Sequence, residues 1–74
     1  MRIAWQNHIE STPAVLHGRP RFKGTRIPVS LVLGYLAEGH NGEEILAEFP
    51  DLGPDHIAAA LDYARALAEF EVTA

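Results

Sequence analysis

The apolar positions fall into two regimes along the chain. In the first thirty residues they are scattered and interrupted by Pro13, Gly18, Pro20, Gly24 and Pro28, which excludes a long helix there. Ile3, Trp5 and Ile9 share one parity, the pattern of a half-buried strand. Pro20-Arg21-Phe22-Lys23 reads as a second short strand, with turns marked by Gly18 and Gly24. A hairpin or small sheet is the expected result.

Beyond Pro28 the spacing becomes helical. Val32, Leu33 and Leu36 predict a first helix that stops at Gly39. Either Pro28 takes its first position or Ser30 caps it. Asn41 followed three residues later by Glu44 predicts a capping box for a second helix, with Ile45, Leu46 and Phe49 inward and Pro50 as its stop. A third and longest helix enters at Gly53-Pro54-Asp55. Ile57, Ala60, Leu61, Ala64, Leu67 and Ala68 follow steps of three and four and are assigned to the core; Tyr63 and Phe70 are also expected to pack. Asp62, Arg65 and Glu69 fall on the opposite, solvated face, and Ala58-Ala59-Ala60 permits close approach by another helix. The tail from Glu71 is expected to fray.

The fold class expected is therefore mostly α with a small β segment: N-terminal strands over residues 1–29, then a three-helix, homeodomain-like core over 30–70, in one domain spanning 1–74. About four residues, Pro50 to Gly53, join the last two helices, the connection length of a helix-turn-helix.

Charge sharpens this picture. Met1 to Ser30 holds five basic residues against Glu10 alone, a net +4, whereas Leu31 to Ala74 holds Arg65 against nine acids, a net −8. The molecule is cationic at one end of its chain and anionic at the other, which suggests docking ends for charged partners. With 74 residues, a domain buries only about 60% of its unfolded surface, and association into a homodimer is a common remedy. Cysteine is absent, which removes disulfides and thiolate metal sites. No apolar run approaches a membrane span, and the start lacks a signal-peptide core, so a cytoplasmic location is expected.

The ordered motifs resemble one family. Gly18-Arg19-Pro20-Arg21-Phe22-Lys23-Gly24-Thr25-Arg26-Ile27-Pro28-Val29 looks like the signature of the domain-of-unknown-function 433 family. Leu36-Ala37-Glu38-Gly39, Glu43-Glu44-Ile45-Leu46, Phe49-Pro50-Asp51-Leu52 and Ile57-Ala58-Ala59-Ala60-Leu61-Asp62-Tyr63-Ala64 continue it, from about Ile9 to Leu67. The resemblance implies a VapB-like antitoxin with a winged or homeodomain-like helix-turn-helix, encoded beside a PIN-like ribonuclease toxin that it binds and silences. Gly53-Pro54-Asp55 departs from the pattern, standing where relatives commonly carry a Thr or Ser cap before the last helix.

The residues that could carry function sort by chemistry. Arg19, Arg21, Lys23 and Arg26 form a basic series suited to phosphates or an acidic partner face; the alternative for Arg26 is a structural ion pair with Glu44 or Asp51, and for the other three plain solvated charge. Gly24 is a candidate for a positive φ angle and Thr25 for a local cap. Glu43, Glu44 and Asp55 read as helix caps, leaving Glu38 and Glu48 free to meet a partner. Trp5, on an expected edge strand, is a candidate dimer or toxin contact. The exposed charge of the last helix is net negative, which opposes its use as a DNA reader, although the basic strand region could touch a DNA backbone. His8, His17, His40 and His56 form no i, i+4 pair, and no nucleophile elbow or phosphate loop is present, so no catalytic, metal or cofactor site is expected and the chain is not read as an enzyme. Two functions stand: an antitoxin, or a stand-alone DNA-binding regulator.

Overall fold

The computed structural model describes the backbone of residues 3–71 and the side chains of residues 3–69. The chain runs through a 3₁₀ turn at Trp5–Asn7, strand β1 (Ile9–Glu10), a second turn at Leu16–Gly18, strand β2 (Arg21–Phe22), and helices α1 (Val29–Ala37), α2 (Gly42–Glu48) and α3 (Pro54–Glu71). The molecule is mostly helical with a two-stranded antiparallel sheet. Phe70 and the tail beyond it, for which packing and fraying are expected, lie outside the described side chains.

Each strand is two residues long, too short to hold itself together. Ile9 pairs with Phe22 and Glu10 with Arg21. One face of this ribbon sends Ile9 and Phe22 into the core, where Phe22 is completely buried. Trp5 is not on a strand: the backbone folds into a 3₁₀ turn and the indole meets the Tyr63 ring edge-on, with centroids 4.9 Å apart. Parity fails there because the turn gives the aromatic a partner that an extended segment would not reach.

Helix boundaries follow local chemistry. Pro28 is itself the N-cap of α1, between the two predicted starts; having no N–H, it leaves none unsatisfied, and the next donor, Val29 N–H, binds Pro20 O at 3.0 Å. The end of α1 is a Schellman turn. Gly39 takes φ 97°, its N–H binds Leu36 O at 3.0 Å, and His40 N–H binds Tyr35 O at 3.1 Å. The α2 capping box is complete: Asn41 Oδ1 accepts from Glu44 N–H and Glu44 Oε1 accepts from Asn41 N–H, both at 2.9 Å. Helix α3 begins at Pro54, and at its start His56 Nδ1 accepts from Gly53 N–H at 2.9 Å. The imidazole thus does for α3 what the Glu44 carboxylate does for α2.

The core gathers Phe22 from β2, Val29 and Val32 from α1, Ile45 from α2, and Ala59 and Ala60 from α3, all at most 1% exposed. Here α3 departs from the expected register. Ala60 is buried as expected, but Leu61 and Leu67, also assigned to the core, are 52% and 48% exposed, while Ala59 and even Asp62, not assigned to it, are buried. Two alanines at the contact let α3 approach closely; leucines in their place would hold the helices apart.

Candidate functional site

The basic series divides. Arg21 is not a surface cation. It is 8% exposed, and its Nη1 lies 2.8 Å from Glu10 Oε2, directly across the ribbon. Nη1 also donates to Thr25 O at 3.3 Å and Nη2 to Thr12 Oγ1 at 3.1 Å. Arg26, with an expected pairing to Glu44 or Asp51, is instead exposed and without an ion pair among the described residues. The two arginines exchange roles because Arg21 sits in the ladder opposite the one acid of the N-terminal segment, while Arg26 sits in the loop beyond. Thr25 ties that loop together: its hydroxyl donates to Phe22 O at 2.8 Å and accepts from Ile27 N–H at 3.0 Å. Gly24, at φ 76°, supplies the left-handed turn before it. The Gly-Thr-Arg-Ile-Pro segment is thus a braced loop that holds Lys23 and Arg26 outward, with Arg21 as its internal pin.

Arg19 is held differently. It follows a turn in which Leu16, His17 and Gly18 all have positive φ, at 53°, 55° and 81°. Two successive non-glycine residues in the left-handed region store about 1–3 kcal/mol each. Arg19 emerges exposed from this turn and, with Pro20, forms one wall of a cleft whose other lining residues are Val29, Ser30 and Leu33 of α1 and Tyr63 and Leu67 of α3. The cleft is about 390 Å³, apolar except for its rim, and among the described residues Arg19 is its one charged lining residue. A second depression, of about 400 Å³, lies on the other side of α3 between Trp5, Gln6, Ala66 and Glu69. The sequence pattern missed the first cleft because Leu67 reads as core; Tyr63 and Leu67 at i, i+4 were its available signal.

On α3 the ionic groups serve one another. Asp62, placed on the solvated face by periodicity, is buried; its Oδ2 accepts from Trp5 N–H at 3.1 Å and its Oδ1 from Arg65 Nε at 2.9 Å. Arg65 Nη1 also reaches Glu69 at 2.9 Å. The hydrogen bond to Asp62 is the main cause that raises the Arg65 pKa above its ordinary value; desolvation opposes it, and Glu69 adds a further upward effect. Arg65 is the sole Lys or Arg after residue 30, so among the described residues α3 presents no unpaired cation to a phosphate backbone.

The acidic residues are distributed over the α2 side. Glu43 and Glu44 lie in the first turn of α2 and Asp55 in that of α3. Glu48 is exposed. Glu38 is 74% exposed, with His40 Nε2 at 3.7 Å. His40 also faces Glu44 at 3.6 Å and packs on Tyr35. His8 and His56, distant in sequence, meet ring to ring at 5.5 Å, with Phe22 5.4 Å from His56. His56 is committed to Gly53, and among the described residues no three of His, Asp and Glu are grouped to hold a metal ion. No helix among them is long and apolar enough to cross a membrane.

Comparison with known proteins gives the same fold. The chain is similar to a solved member of the DUF433 group from Anabaena variabilis ATCC 29413, with TM-score 0.79 and 38% identity, covering 86% of this chain and 63% of that one. It is 40% identical over 58 residues to the uncharacterized protein y4eO of Sinorhizobium fredii (strain NBRC 101917 / NGR234), covering 78% of this chain and 26% of that protein. The chain therefore spans about a quarter of its curated relative and somewhat under two thirds of the solved one. Residues 9–64 match the family model described as "Protein of unknown function (DUF433)", and the chain belongs to that family.

Proposed function

We propose that the protein is a non-enzymatic antitoxin of a type II toxin-antitoxin pair, which binds and silences a PIN-like ribonuclease through the face that contains Arg19. The observation that carries the reading is the combination at that residue. A cation with no ion pair among the described residues stands on the rim of an apolar cleft, and Lys23 and Arg26, also exposed, stand on the braced loop after β2. Apolar anchoring beside cations suits an acidic protein surface; small domains that bind proteins commonly join a desolvated centre to a charged rim. The internal pairing of Arg21 and Arg65 supports the same view, since among the described residues it leaves the remaining Lys and Arg, at 19, 23 and 26, on one stretch of chain. Five residues, 49–53, join α2 to α3, one more than the expected turn, and the helical trio is compatible with a homeodomain-like helix-turn-helix.

The test is co-expression with the product of the neighbouring open reading frame, which the reading requires to be a PIN-like ribonuclease. A complex that copurifies and suppresses RNA cleavage, and that is weakened by Arg19→Glu and Lys23→Glu but not by charge changes at Glu43, supports the reading. Free, active ribonuclease in the presence of excess folded protein overturns it.

A stand-alone DNA-binding regulator is the second reading, and the exposed Arg19, Lys23 and Arg26 favour it. Because α3 presents no unpaired base among the described residues, such binding would rest chiefly on those three cations. It would lose affinity steeply with salt, with a slope reduced by about one for each cation neutralised. DNA binding that survives reversal of all three would refute it.

A further inference from the structure

We propose that the cleft between α1 and α3 is a binding site for a small arylalkanoate, a free acid whose single ring fills the apolar slot and whose carboxylate lies on the guanidinium of Arg19. The slot comes first. Ala60, Tyr63 and Leu67 lie on one stripe of α3, at steps of three and four. That stripe is fully buried at Ala60, yet at Leu67 it is 48% exposed. Opposite it α1 presents Val29 and Leu33, one turn apart, and Pro20 joins them. The rows from the two helices therefore bound about 390 Å³ of open space. This is the low end of the roughly 300–1,000 Å³ of small-molecule sites, which suits one ring with a short arm. A flat ring also finds an aromatic neighbour there. Tyr63 is already held edge-on by Trp5, with centroids 4.9 Å apart, so that wall stands formed before anything binds.

The charge selects the rest of the ligand. Among the described residues Arg19 is the one charged group lining the cleft. It is exposed, and it has no ion pair or side-chain hydrogen bond among them. Glu10, the one acid of the N-terminal segment, is committed to Arg21. The turn that delivers Arg19 to the cleft runs against backbone preference at Leu16 and His17, and strain of this kind gathers at ligand clamps. An amine would be repelled here, and a wholly apolar ligand would leave the guanidinium unused. The planar fork of one arginine matches one carboxylate, whereas a phosphate dianion asks for more donors than a lone arginine supplies. Ser30, exposed on the same rim, adds a hydroxyl within the cleft lining.

The acid would occupy the face that the antitoxin reading gives to a protein partner, so the two exclude one another. The inference does not rest on that reading, because the isolated protein is assayed with no partner present.

The experiment titrates hydrocinnamate and its neutral isostere hydrocinnamamide into the whole chain, followed by NMR of the Leu and Val methyl groups and of the arginine Nε–H. The acid should bind with a dissociation constant on the order of 1 mM, as expected of so small a ligand. Its shifts should centre on Val29, Leu33 and Leu67 and on Arg19. The amide should bind about tenfold more weakly, lacking the charge-assisted pair. Arg19→Gln, at an exposed residue, should bring the acid down to the level of the amide and leave the amide unchanged; a folding defect would weaken both. Leu67→Asn should weaken acid and amide alike, about threefold, since it removes wall and not charge. The tetrapeptide Gly-Gly-Gly-Phe, which carries the same ring and carboxylate on a chain, should bind no tighter than the free acid. Binding of the peptide about tenfold tighter would assign the cleft to a protein carboxy terminus and overturn the proposal. So would cleft residues unmoved by about 10 mM acid, the result expected if a second copy or a larger partner is the occupant. An Arg19→Gln chain that still prefers acid to amide would overturn it as well.

Discussion

Replacing Glu10 by alanine should destabilise this protein more than removing its partner Arg21, although the acid is the more exposed of the two. The side chain of Arg21 is 10% exposed and that of Glu10 39%. Taking away Arg21, as Arg21→Met, strands a carboxylate that already touches water and can be rehydrated. The methionine fills most of the space left by the guanidinium stem. Taking away Glu10 strands a guanidinium in the interior, where Nε already has no partner and the remaining bonds go to the Thr25 carbonyl and the Thr12 hydroxyl. Breaking a fully buried pair from one side costs about 3–5 kcal/mol. Discounting for the solvent access of Glu10 gives about 2–3 kcal/mol for Glu10→Ala and about 1–2 kcal/mol for Arg21→Met. The double variant Glu10→Leu/Arg21→Met should recover most of the loss, since no charge is left behind. Urea denaturation followed by circular dichroism measures all three. A domain of 74 residues has about 4–11 kcal/mol in hand, so each variant remains folded enough to titrate. The reasoning fails if Arg21→Met is the costlier single change, or if Glu10→Ala is within about 0.5 kcal/mol of wild type.

Three other perturbations have defined outcomes. His56→Ala removes the acceptor for Gly53 N–H and two ring contacts, and should cost about 1–2 kcal/mol in thermal melts, with His56→Glu recovering part of it as a carboxylate in the same capping position. Asp62→Ala unfastens Trp5 N–H and releases Arg65; about 1–3 kcal/mol is lost, and amide exchange at Trp5 accelerates while that of Val32 tracks only the global change. His17→Gly relieves a left-handed residue and should stabilise the fold by up to about 1 kcal/mol; a loss of stability would show that the imidazole itself is needed.

What the sequence made legible was local. The Asn41–Glu44 box, the stop at Gly39 and the turn at Gly24 each depend on residues within a few positions of one another, so spacing suffices to find them. What it hid depended on partners far along the chain. Trp5 carries strand parity, yet its neighbours are Asp62 and Tyr63, nearly sixty residues away. Arg21 and Arg26 are indistinguishable by composition, and only the pairing of Glu10 with Arg21 decides which is buried. Hydrophobicity ranks Leu61 and Leu67 above Ala59 and Ala60; packing reverses the ranking because the helices meet at the alanines. The same reversal leaves Leu67 in the cleft wall, so the error in the core and the omission from the candidate site have one cause.

The bond from Trp5 N–H to Asp62 has a consequence for how the molecule is made. It joins positions 57 apart, and the indole it anchors rests on Tyr63. During synthesis the amino-terminal turn therefore has no docking site until the final helix has left the ribosome. Any nascent intermediate must carry an unmoored tryptophan, and fluorescence from that residue should report the last step of assembly.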